Sequence, residues 1–225
     1  MRRFFYSLLL LSLALGNSAL RAGEDVLLMS GGQSIRVLYF EPASAGTDIP
    51  LAVMVTGGSS NEFMARAQFW LGKELVDRGW AVAVPISPDG RDFFVEHAGE
   101  FPQLINDLRS LHDLNSSKTL LVGISSGGSA ALKIAAMQPD QYLGVVATPG
   151  RLKTDDLQYL DGLPVFLRIG EKDDLRWNRR MERDVARLQS AGAVVNAALV
   201  PGAKHIFPVN WTDLEAWLET TLQGL

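Results

Sequence analysis

The sequence contains no cysteine. That excludes a disulfide scaffold and attachment of a lipid through a cysteine thioether. Histidine is scarce, with three residues in the chain, so any chemistry needing an imidazole has few candidates. Charge of one sign is not gathered anywhere. The 21 Lys and Arg against 25 Asp and Glu are spread along the chain and leave a net charge of −4, which gives no case for a nucleic-acid surface. Internal repeats, low-complexity tracts and interdomain linkers are absent. Long hydrophobic runs are absent too, with one exception at the N-terminus. Arg2 and Arg3 precede an apolar run from Phe4 to Leu15, followed by Gly16, Asn17, Ser18 and Ala19. A basic start, a short apolar stretch and a small-residue exit form a secretory signal, too short to cross a bilayer comfortably. We therefore expect a signal peptide over residues 1–22, cleaved near 18–22. The mature domain at 23–225 would be periplasmic or secreted, with no stable membrane span.

What remains has room for one domain with a full core. Its apolar residues fall into a regular alternation. Val26 to Met29 and Gln33 to Tyr39 flank Ser30-Gly31-Gly32 and read as a hairpin. Ile49 to Thr56 is a solid apolar run ending in Gly57-Gly58-Ser59, as a strand buried on both faces would be. Helical spacing follows over Glu62 to Arg78, then a strand from Trp80 to Pro85 and a helix from Glu100 to Leu114. Strands at Thr119 to Val122, Tyr142 to Ala147, Pro164 to Ile169 and Val194 to Val200 alternate with helices to Gln138, over Trp177 to Ala191 and over Asn210 to Leu222. A hairpin followed by strand–helix repeats predicts a mostly parallel eight-stranded sheet covered on both faces. Ligands of such sheets bind beyond the carboxyl ends of the strands.

At one of those ends stands Gly123-Ile124-Ser125-Ser126-Gly127, a G-x-S-x-G pattern between a strand and a helix. The chain must reverse sharply there, which exposes the Ser125 hydroxyl and leaves no room for a β-carbon two residues to either side. The helix beginning at Ser126 aims free N–H groups at charge developing beside Ser125. A serine needs a base within hydrogen-bond reach. His205, in the loop after the last strand, lies at the same edge. His112 falls late in a helix and reads as a solvated surface residue, and His97 lies in a loop after the fourth strand. The imidazole needs a carboxylate in turn. Asp173, three residues beyond Gly170, is the first choice; Asp174 serves if the turn is one residue longer, but otherwise caps the following helix. Glu171 leaves the strand too early to reach His205. An oxyanion hole needs two backbone donors: Ser126 N–H, and one from the Thr56-Gly57-Gly58-Ser59 loop.

Taken together, the GISSG turn, the GEKD loop and the AKHIF loop, in the order Ser, Asp, His, resemble the α/β-hydrolase superfamily. The resemblance implies Ser125 as nucleophile, His205 as base and Asp173 as acid, with Gly58 and Ser126 supplying N–H groups. Members often carry His-Gly after the third strand where this chain has Thr56-Gly57, which leaves Gly58 and Ser59 as alternatives. The short connection Thr148 to Leu163 gives a nearly lidless outline like that of dienelactone-hydrolase-like and carboxylesterase-like members. The expected function is an exported serine esterase for small soluble substrates. A peptidase or amidase with the same triad and a non-catalytic binding protein on the same fold are the alternatives. No cofactor is expected, and no His/Asp/Glu cluster stands at metal-ligand spacing. Phe93 or Phe94 is expected to wall the substrate cleft, and Ser126→Ala to be mild because only the backbone N–H of Ser126 is needed. No oligomeric state is read from the sequence.

Overall fold

The computed structural model describes residues 20–29, 32–43, 49–93, 95–114, 118–153 and 159–223. Residues 1–19 of the signal expected over 1–22 lie outside them, as does Phe94. Eight strands form one sheet: β1 (Leu20–Leu28), β2 (Ser34–Pro42), β3 (Leu51–Val55), β4 (Ala81–Ile86), β5 (Thr119–Gly123), β6 (Tyr142–Ala147), β7 (Pro164–Gly170) and β8 (Val194–Val200). Their spatial order is β1-β2-β4-β3-β5-β6-β7-β8. The hairpin β1–β2 and the β2–β4 pair are antiparallel, and every pairing from β4 through β3 to β8 is parallel. This is the expected α/β-hydrolase sheet.

The hairpin is longer than its apolar pattern implied. β1 starts at Leu20, which pairs with Pro42, because backbone pairing continues through polar residues once the register is set.

The central strands are buried on both faces, which is why they read as unbroken apolar runs rather than alternating ones. Alternate side chains feed two separate cores. On one face Val53, Leu121, Val145 and Leu167 pack with α3 (Phe101–His112), α4 (Ser126–Met137) and α5 (Met181–Ser190). On the other, Ala52, Met54, Val122 and Phe166 pack with α1 (Glu62–Ala67), α2 (Trp70–Asp77) and α6 (Trp211–Gln223).

The single helix expected over Glu62 to Arg78 is broken into α1 and α2 at Gln68 and Phe69. Gln68 turns inward, 8% exposed, and its side chain is committed to the loop after β3. Among the described residues, no helix is long and apolar enough to cross a membrane.

Candidate active site

The carboxyl ends of β3, β5, β7 and β8 meet at Ser125. β5 ends at Gly123, Ser125 takes φ 57 and ψ −123, and α4 begins at Ser126. A non-glycine residue in that region is strained, and it persists only where its surroundings hold it. They do: the Ser125 N–H donates to Pro149 O at 2.8 Å, and the Ile124 N–H donates to Val55 O at 3.2 Å. The flanking glycines are required by closeness. A β-carbon on Gly123 would stand 2.3 Å from Gly127 O, and one on Gly127 would stand 2.1 Å from Val55 O. Any larger residue at either place would push the turn off the sheet.

Ser125 Oγ lies 2.8 Å from His205 Nε2, and His205 Nδ1 lies 2.8 Å from Asp173 Oδ2. The Asp173 side chain is fully shielded from solvent, and its other oxygen accepts the Leu175 N–H at 2.7 Å. The two loops that carry these groups are pressed together. Lys172 N–H donates to Ala203 O, and a β-carbon on Gly170 would stand 1.9 Å from Lys204 O. Glu171, expected to fall short of His205, instead accepts the Gly202 N–H at 2.7 Å and so ties the histidine loop to β7. Asp174 is exposed and caps nothing: the turn at Trp177–Arg180 starts from Arg176 without a side-chain cap. Of the two aspartates, the fold brings Asp173 to His205.

Gly57 and Gly58 face the same turn from β3. The Gly57 N–H is held by Gln68 Oε1 at 2.8 Å, and a β-carbon on Gly57 would stand 2.7 Å from Ile124 O. The Gly58 N–H donates to Ser126 Oγ at 2.8 Å. Between Gly58 and Ser59, it is therefore Gly58 whose N–H points across the cleft mouth toward the start of α4. As the first residue of α4, Ser126 has no intrahelical acceptor for its own N–H. The Ser126 side chain, expected to matter little beside its backbone N–H, is in contact with the glycine loop.

Gln68 and Trp177 contact the site residues without any local signal in the chain, and Arg151 packs behind Trp177. Gln68 anchors the glycine loop. Trp177, 7% exposed, sets its ring edge-on to His205 with centroids 4.8 Å apart. Arg151 lays its guanidinium 5.4 Å from the centre of the Trp177 ring.

Several expectations are corrected. Phe93 does not wall the cleft. It is fully buried in the α3 face of the core, edge-on to Phe101 at 5.2 Å. Ion pairs among Asp89, Arg91, Glu96 and His97 lie in the segments on either side of it. His112 is not a solvated surface residue. Its Nε2 is 2.7 Å from Asp25 Oδ2, and its ring stacks on Tyr39 at 3.6 Å.

The fold also gathers a set of potential ligands invisible in the sequence spacing. Asp89, Glu96 and His97 bring one ligand atom each to within 4.8 Å of one another. Arg91 pairs with Glu96 and lies 3.9 Å from Asp89, so a cation of the chain itself already meets these charges. The backbone N–H of Arg91 and the Ser87 hydroxyl hold the Asp89 carboxyl below the usual carboxylate range. His97 belongs to this loop and not to the Ser125 site.

Comparison with known proteins places this geometry. In structure, the chain is similar to a carboxylesterase of Bacillus cereus, at 16% identity and a TM-score of 0.65 over 83% of this chain and 94% of that one. It is also similar to a cold-adapted esterase from an Arctic intertidal metagenomic library, at 15% identity and a TM-score of 0.66 over 91% and 94%. A Klebsiella pneumoniae protein described as "Putative Dienelactone Hydrolase" shares 19% identity and a TM-score of 0.72 over 89% and 99%. Identities this low speak for the fold alone. None of the curated proteins matches in sequence. A family model, "Putative esterase", matches residues 75–224, a stretch that holds Ser125, Asp173 and His205. The chain belongs to that esterase family, on an α/β-hydrolase fold.

Proposed function

We propose that the protein is an exported serine hydrolase that cleaves carboxylic esters of small substrates through an acyl-enzyme. The observation that carries this reading is the continuous relay from Ser125 through His205 to the buried Asp173, at 2.8 Å for each link. With Nδ1–H donating to Asp173, His205 Nε2 is left as the acceptor for the Ser125 proton. Ser125 Oγ attacks the ester carbonyl, and its proton passes to Nε2. The oxyanion is met by backbone N–H groups of Gly58 and Ser126 at the N-terminus of α4. The intermediate collapses as His205 protonates the departing alcohol. Water activated by the same imidazole then releases the acid and restores Ser125.

Export rests on the leader-like run ahead of Leu20. Because Leu20 to Ala22 are paired with Phe40 to Pro42, cleavage before Leu20 keeps β1 whole.

The test is covalent labelling with a fluorophosphonate, mapped by mass spectrometry. The mature protein should be labelled on Ser125 and should hydrolyse a soluble nitrophenyl ester. S125A should abolish labelling and lower turnover about 10⁴-fold or more while the fold is kept. Labelling that persists in S125A assigns the nucleophile elsewhere.

A further inference from the structure

The Gly58 N–H, the donor needed by an oxyanion, is already engaged. Its acceptor is the Ser126 hydroxyl at 2.8 Å, a contact made between residues 68 positions apart in the chain. The same hydroxyl lies 3.4 Å from Gly58 O, at the outer limit for donation, so its proton is poorly used. Ser126 is half-buried and directly follows Ser125 in the chain. An aliphatic side chain at this position would fill the same space and leave the Gly58 N–H bare. A hydroxyl differs because it both accepts and donates.

We propose that the Ser126 hydroxyl is a third hydrogen-bond donor to the oxyanion, resting on the Gly58 N–H until the substrate carbonyl takes that place. This rests on the ester-hydrolase reading above. As the carbonyl oxygen enters, it accepts from Gly58 N–H and displaces Ser126 Oγ by about the width of one oxygen. Two oxygens that compete for one N–H are themselves within hydrogen-bond reach, and the displaced hydroxyl turns its proton onto the newcomer. The Ser125 Oγ–carbon bond then forms, the carbonyl π pair moves to oxygen, and the Ser125 proton goes to His205. Ser126 keeps its own proton throughout.

The exchange favours the transition state over the ground state. A neutral carbonyl oxygen is a modest competitor for the Gly58 N–H, whereas an oxyanion accepts charge-assisted bonds from all three donors. While the site is empty, the hydroxyl also holds the glycine loop at the spacing that an oxygen requires, so little rearrangement remains for the reaction step.

The experiment compares wild type with S126A, S126T and S126V on a soluble nitrophenyl ester, together with inhibition by a trifluoromethyl ketone that forms a tetrahedral adduct. Thr and Val have the same shape and differ in the hydroxyl, so this pair isolates the donor even if Ala disturbs the turn. S126A and S126V should lose about 10-fold or more in kcat, toward the 10²–10³ that the loss of one such donor costs. Their KM should stay level or fall, because no resting contact must be displaced. Affinity for the ketone should drop by a similar factor to kcat, and S126T should keep most of both. Equal kcat in S126T and S126V, or faster turnover in S126A, overturns the proposal and makes the hydroxyl a spacer or a plug. In either event wild-type labelling and hydrolysis leave the esterase reading intact. Absence of labelling and hydrolysis in wild type removes both readings together.

Discussion

Asp184, near the start of α5, is a carboxyl folded almost wholly out of solvent at 1% exposure. One oxygen accepts the Leu152 N–H at 3.2 Å; the other has Arg183 Nη2 at 3.7 Å and no hydrogen bond. Burial raises its pKa above the ordinary aspartate value of 3.8, against the opposing pull of the Leu152 N–H and nearby arginines. The sign follows from linkage: a carboxyl harder to ionise in the folded than in the unfolded chain costs stability once ionised. That cost is absent below the ordinary aspartate value and grows as pH rises through it toward the raised one. D184N keeps an oxygen for the Leu152 N–H and removes the charge. Its melting temperature at neutral pH should equal or exceed that of wild type, with any gain vanishing on acidification. A fall of several degrees at neutral pH would mean that the carboxylate is held by its arginines more strongly than burial opposes it.

At the scale of elements, the break between α1 and α2 ties the second core to the site. Gln68 leaves the helical path at the cost of helix continuity, and its Oε1 takes the buried Gly57 N–H. That bond anchors the residue immediately before Gly58, whose N–H donates to Ser126 Oγ. Q68M should leave a buried donor unsatisfied, which costs about 1–3 kcal/mol of stability. It should also lower kcat about 10-fold as the loop relaxes, while Q68E, which keeps an acceptor, should recover most of the loss. Thermal unfolding and steady-state kinetics check both; full activity in Q68M would make Gln68 a bystander.

Nothing in the local pattern announces this role. Glu62 to Arg78 carries unbroken helical spacing, and the partner of Gln68 lies eleven positions away across a turn. The same holds for Trp177 against His205 and for the Ser126 hydroxyl against Gly58, which are contacts between separate elements. The Ser125 turn, by contrast, was legible because its constraints are local: two glycines, a strand before, a helix after. That Asp173 and His205 share an edge with Ser125 was legible because strand ends in a parallel sheet fix which loops lie together. Phe93 was not, since a ring beneath a loop and a ring lining a cleft look alike in sequence.

For the whole molecule, what remains is how substrate reaches the sheet edge. The connection from β6 to β7 is tied down at its start. Thr148 N–H bonds Gly123 O, Pro149 O accepts from Ser125, Arg151 N–H bonds Ser129 Oγ, and Leu152 N–H bonds Asp184. Its far end is anchored as well: Leu160 and Leu163 are buried, and Gly162 N–H bonds Gly192 O. Residues 153–159 are the stretch between these anchors, shorter than an average helix of a globular protein. Apolar groups near the site are exposed instead: Leu175 at 57% beside Asp173, and Ile206 at 51% beside His205. An acyl chain laid against such groups stays half in water. Full burial of a methylene contributes about 0.8 kcal/mol, or roughly fourfold in kcat/KM, and a half-covered one much less. Efficiency should therefore rise over the first few acyl carbons and then level off or fall, with no surge when substrate separates as an emulsion. Nitrophenyl esters of increasing acyl length, assayed below and above their solubility limits, measure this directly. A steady climb to long chains, or a jump in rate at the emulsion boundary, would call instead for an apolar cavity or a moving cover over Ser125.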